Sequence, residues 1–124
     1  MVSPHGIPEI PDSTFKSLSE GDYQARLAHT PGCAVVLFTH AHCGACCTWK
    51  RLLPEALSSI TMHFFEVDVA LATSMARYFG IFHLPTIYLY RDGRFHAELQ
   101  AEARADTVRI AVRDLYAAPA QAEP

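Results

Sequence analysis

The sequence has no surplus of positive charge: ten Lys and Arg against thirteen Asp and Glu give a formal net charge of -3 with the histidines neutral. A field of that sign draws neither nucleic acid nor an anionic bilayer, so neither is expected as a partner. No leader is expected at the start of this sequence either. The opening stretch, MVSPHGIPEIPDS, has no cationic start and no apolar centre, and no uninterrupted apolar run approaches the length that spans a bilayer. These absences predict a soluble, cytoplasmic chain. Internal repeats are lacking as well, and 124 residues leave room for one compact domain rather than two. Only four cysteines are present, three of them within positions 43–47, which suits redox or metal chemistry in a reducing compartment better than a disulfide-stapled scaffold.

What is there begins with that cluster. HAHCGACCTWK, residues 40–50, packs two histidines and three cysteines between a buried run and a helical pattern. From the residues alone a redox pair, a soft-metal site and merely buried thiols all stay open. Around the cluster the patterns alternate. SEGDYQARLAH opens with Ser19 three residues before Asp22, a capping signal, and suits a short helix. CAVVLFT (33–39) reads as a strand buried on both faces. From Gly44 to about Ile60, Cys46, Trp49, Leu53, Ala56, Leu57 and Ile60 make one helical stripe, with Lys50 and Arg51 off it and Pro54 expected to kink it.

MHFFEVDV (62–69) reads as a second buried strand, and LATSMARYFG as a helix with Leu71, Met75, Tyr78 and Phe79 on one face and Gly80 as its stop. TIYLY and RFHAELQ, joined through RDG, form a hairpin, and Asp106 is expected to cap a last helix. A βαβ half followed by a ββα half predicts an α/β fold with a mixed central sheet and helices on both faces. The proline-bearing residues 1–12 and the tail 118–124 are expected to be flexible, flanking a folded domain over 13–117.

The order of elements, CGAC straight after a buried strand, LPT opening the next-to-last strand and RDGRF at the following hairpin together resemble the thioredoxin superfamily from about Thr14 to Ala117. The resemblance implies the thioredoxin fold and a protein-disulfide reductase or thiol-disulfide oxidoreductase serving cell redox homeostasis. Cys43 would be the nucleophile, at the positive end of the helix, and Cys46 the resolving thiol. It implies a cis peptide at Leu84-Pro85. Gly44, Ala45, His42, Leu84, Pro85 and Thr86 would bind the substrate chain and tune the pair. The implied partners are disulfide-containing protein substrates and a thioredoxin reductase or glutathione system. The protein is expected to be a monomer with no cofactor and no bound metal.

Departures from that pattern carry their own expectations. His42 and Thr39 stand where the family has tryptophans, and Leu37 stands where it has a buried carboxylate, so the usual proton relay is absent. Glu66 is the candidate substitute, since strand alternation aims it beneath Cys46, and an exposed strand-end carboxylate is the competing reading. Ala101 replaces a glycine of the substrate groove. Cys47, on the polar face with Lys50 and Arg51, is a candidate regulatory thiol, whereas Cys33 is expected to be a small buried hydrophobe. Two rivals remain: a zinc or copper(I) module drawing on His40, His42, Cys43, Cys46 and Cys47 or His83, and a thioredoxin-fold binding or scaffold domain with slow redox chemistry.

Overall fold

The computed structural model describes residues 14–124; the segment 1–12 expected to be flexible lies outside the described residues. In chain order the elements are β1 (Lys16–Ser17), α1 (Tyr23–Ala28), β2 (Cys33–Thr39), α2 (Gly44–Ala56), β3 (Met62–Asp68), α3 (Thr73–Tyr78), β4 (Thr86–Arg91), β5 (Arg94–Glu98) and α4 (Ala105–Ala117). The sheet runs β1-β3-β2-β4-β5, with β1, β3 and β2 parallel and β4 and β5 antiparallel. This is the thioredoxin fold that the sequence implies.

The apolar run of β2 fills the middle of the sheet because both of its faces are covered. Val35 and Leu37 point to a core shared with Leu53 of α2 and Val108 and Val112 of α4, all fully buried. Ala34, Val36 and Phe38 point the other way, into an aromatic core with Tyr23 of α1 and Phe79, Tyr88 and Phe95. Each such aliphatic side chain contributes about 1.5–3 kcal/mol by leaving water. β3 departs from expectation, for only Phe65 and Val67 are buried. Its outer neighbour β1 is two residues long, and Met62, Phe64 and Glu66 stay half covered.

Three local expectations change. α2 ends at Ala56, so Pro54 lies in its last turn. The stripe over 71–79 is not a buried face, because the helix starts only at Thr73; Leu71 and Tyr78 are 83% and 70% exposed, and Phe79 alone is buried. Asp106 is not the cap of α4. Arg104 holds the extended pre-helical conformation, and the Asp106 carboxylate, already in the first turn, accepts the Thr107 N–H at 2.8 Å and faces the helix dipole. Within the tail expected to be flexible, Gln121 donates its N–H to the His96 carbonyl at 2.7 Å and accepts the Glu98 N–H on its side chain at 3.1 Å.

The hairpin turns on Asp92 and Gly93, both at positive φ as a two-residue turn between right-twisted strands requires. Gly93 is also wedged against the end of α1: a Cβ there would lie 2.9 Å from both Ala28 Cα and the Leu27 carbonyl oxygen. The obstruction is backbone and cannot swing aside. Gly93→Ala should therefore cost about 2 kcal/mol, read as a fall in the urea midpoint at unchanged m-value.

Buried tyrosine hydroxyls of the two cores set the alkaline limit. Tyr23 and Tyr90 share a hydrogen bond at 2.6 Å, and Tyr116 donates to the Tyr90 carbonyl at 2.8 Å. Burial pushes all three phenols up, and pushes Tyr88 up to about 12. The unfolded chain therefore loses these protons first, from about pH 10, while the native state still holds them. Stability contributed by the protonated phenols is complete below about pH 10 and is lost as pH rises through the native values. Thermal melts should show a flat midpoint from pH 7 to 9 and a steep fall above about pH 10.5.

Candidate active site

β2 delivers the chain to the redox turn. After Thr39 the loop His40-Ala41-His42 is fixed by two backbone contacts: the Cys43 N–H donates to the His40 carbonyl at 3.1 Å, and the His42 N–H to His40 Nδ1 at 3.2 Å. Cys43 is the cap of α2. Its backbone is extended, and its Sγ accepts the Cys46 N–H at 3.0 Å, an orphan amide of the first turn. Cys43 and Cys46 are disulfide-bonded with their Cα atoms 5.2 Å apart. Cys43 is half-buried; Cys46 is 3% exposed and sealed under the helix. Gly44 and Ala45 between them are exposed, and a Cβ added at Gly44 would meet nothing within 4 Å, so the space over this turn is open.

On the other side stands the loop before β4. The Leu84-Pro85 peptide is cis, and Thr86, buried, donates its hydroxyl to the His83 carbonyl at 2.8 Å. Because Thr86 pairs with Phe38, Pro85 falls level with Thr39, where the chain leaves for the redox turn. Leu84, Pro85, His83 and Ala101 line a cavity of about 280 Å³ together with Trp49. Trp49, expected in the core, is half-buried: it packs on the α2–α4 core and also walls this groove.

Beneath the pair, Glu66 lies where strand alternation aims it. A cavity of about 320 Å³ is lined by Cys46, Cys47, Thr39, His40, Lys50, Glu66 and Asp68 among others. The Glu66 carboxylate is 2.9 Å from Lys50 Nζ and accepts the Thr39 hydroxyl at 3.0 Å. The reading of Glu66 as a solvated strand end does not hold, because both of its oxygens have partners and its side chain is 21% exposed. Leu37, where a buried carboxylate is absent, is fully buried in apolar contacts. Sequence reasoning missed Lys50 and Thr39 as the partners of Glu66. The signal was available: Lys50 follows Cys46 by four residues, so although off the apolar stripe it sits at its edge, within reach of Glu66.

The remaining sequence candidates separate. Cys47 is exposed, Cys33 is half-buried at the far end of β2, and His83 is exposed in the loop before Pro85. Among the described residues, no group of three or more His, Cys, Asp or Glu side chains converges as a metal site. Among the same residues, no helix is long and apolar enough to cross a membrane.

A disulfide between the cap and third residue of a helix, standing at the end of a central strand, is a C-x-x-C pair in the setting that thiol–disulfide chemistry requires. The chain belongs to the thioredoxin family, whose model matches residues 14–114. It is 29% identical over 101 residues to protein disulfide-isomerase A3 of Gallus gallus, a match covering 77% of this chain and 19% of that protein. The chain thus spans about a fifth of the length of that curated relative. Two solved structures share the fold. Human ERp44 in its zinc-bound form superposes with a TM-score of 0.68 at 20% identity, covering 81% of this chain and 31% of that one. Mitochondrial thioredoxin 3 of Saccharomyces cerevisiae in its oxidized form gives 0.68 at 17%, covering 82% and 96%.

Proposed function

We propose that the protein exchanges disulfides with protein substrates, as a cytoplasmic monomer that uses no cofactor, with Cys43 as nucleophile and Cys46 as resolving thiol. The observation that carries this reading is the asymmetry of the pair: a reachable Cys43 capping the helix and a buried Cys46 one turn below it. In the reduced protein the Cys43 thiolate, stabilised by first-turn amides, attacks one sulfur of a substrate disulfide. A Cys43–substrate bond forms and the first substrate sulfur leaves as thiolate. Cys46 then loses its proton and attacks Cys43 Sγ, which closes the internal disulfide and releases the second substrate sulfur. A thioredoxin reductase, or two molecules of glutathione leaving as their disulfide, returns the pair to the reduced state.

Glu66 takes the Cys46 proton in this scheme. Its carboxylate shares the cavity with Cys46, and Lys50 and Thr39 hold it in place. The substrate backbone docks along the edge presented by Leu84 and Pro85, with Thr86 fixing that loop and His42, Gly44 and Ala45 forming the facing rim. The test is reduction of insulin disulfides with dithiothreitol or a reductase couple as electron source. Catalysis well above the uncatalysed rate is expected. Glu66→Gln should slow turnover roughly 10- to 100-fold, an effect that shrinks as pH rises and hydroxide takes over deprotonation. A pH-independent defect would leave Glu66 a merely structural partner of Lys50.

A further inference from the structure

Resting on that reading, we propose that Cys47 is a second resolving thiol for the Cys43 mixed disulfide, working from the solvent side of α2. Three observations carry it. Cys43, Cys46 and Cys47 occupy a single turn, and the Cys47 N–H donates to the Cys43 carbonyl at 3.4 Å, so Cys47 lies one helical repeat below Cys43. Cys46 is buried and Cys47 exposed, yet both residues line the cavity that also holds Lys50 and Glu66, so the two border one space. The open ground over Gly44 leaves room for the first turn to adjust as Cys43 rotates outward with its substrate.

The step balances without any added reagent. The Cys47 thiolate attacks Cys43 Sγ, the Cys43–substrate bond breaks, and the substrate sulfur leaves as thiolate. Cys46 next attacks Cys43 Sγ, which closes the Cys43–Cys46 disulfide and returns Cys47 as thiolate. A bound partner thus has two exits. One is the buried thiol of ordinary turnover, and the other serves when a bulky or slowly departing partner holds Cys46 away from its target. Cys33, half-buried at the opposite end of β2, has no such access.

The experiment compares Cys46→Ser with Cys46→Ser/Cys47→Ser. Each is reduced, desalted and mixed with insulin as the disulfide probe, then followed on non-reducing gels with peptide mapping. The same comparison is repeated in a Cys46→Ala background in case serine disturbs the buried position. Both variants should form the Cys43 adduct. In the single variant it should decay at least about tenfold faster and leave a Cys43–Cys47 bridge, while in the double variant it persists. Equal persistence, or decay that leaves Cys47 free, overturns the proposal. If neither variant forms any adduct, Cys43 is not the nucleophile, and the inference falls together with the reading beneath it.

Discussion

Cys43→Ser should abolish disulfide exchange, with turnover on insulin falling roughly 10³-fold or more, to the level of the uncatalysed reaction. A serine hydroxyl at this cap still accepts the Cys46 amide, so α2 keeps its start and the variant should melt close to the parent. What it loses is the thiolate, and an alcohol oxygen does not displace sulfur from a disulfide at neutral pH. Neither remaining thiol of the turn can stand in: Cys46 is buried, and Cys47 acts only on a bond that Cys43 has already made. Cys33→Ser is the control and should run at the parental rate. Residual activity in Cys43→Ser within tenfold of the parent would show that attack begins elsewhere.

The second large effect concerns redox poise. Whatever stabilises the reduced form of the pair raises its reduction potential, and two features act on the Cys43 thiolate. His42 precedes it in an exposed loop, and its imidazole, whenever protonated, puts a positive charge beside the sulfur. Leu37 supplies no buried negative charge beneath it, and the carboxylate that is near, Glu66, is offset by Lys50 at 2.9 Å. Both features favour the thiolate. The Cys43–Cys46 couple should therefore be more oxidising than the roughly -270 mV of thioredoxin, by about 30–60 mV, which is 10- to 100-fold in the exchange constant. Titration against glutathione at pH 7 measures it. His42→Trp should lower the potential. A potential at or below that of thioredoxin, or no downward shift in the variant, removes this account.

Much of the fold could be read in advance where one pattern settles one neighbour. CAVVLFT is apolar from Cys33 through Phe38, so it had to lie between two layers, and the C-x-x-C that follows had to fall on a helix start. Other elements exist only through their partners. Lys16 and Ser17 are both exposed and carry no alternation, and they form a strand because β3 offers them an edge, continued by the Leu18 N–H on the Glu66 carbonyl. The 71–79 stripe has helical spacing, but spacing does not say whether a face is buried, and a six-residue helix leaves Leu71 outside it. His96 reads as the polar side of β5. A register shift at Leu89/Tyr90 and the end of α4 bury it, and its Nε2–H serves the carbonyls of Leu115 and Ala118. At the site, the position of Glu66 follows from strand alternation, whereas its pairing with Lys50 depends on how α2 crosses β3, a packing distance that no single segment encodes.

The hold of Gln121 on β5 has a consequence for how the molecule meets other chains. A five-stranded sheet has two rims, each a ladder of unpaired amides and carbonyls that invites an intruding strand. Here one rim is the two-residue β1, too short to template anything, and the other is β5, where Gln121 occupies the His96 carbonyl and the Glu98 amide. Strand-to-strand aggregation is blunted on both flanks. On the docking proposed above, an extended polypeptide would find its backbone partners at the loop around Pro85 rather than along either rim. Glu98, whose amide Gln121 holds, also borders the groove beside Leu84 and Pro85, so the tail closes the sheet edge next to the groove where docking is proposed.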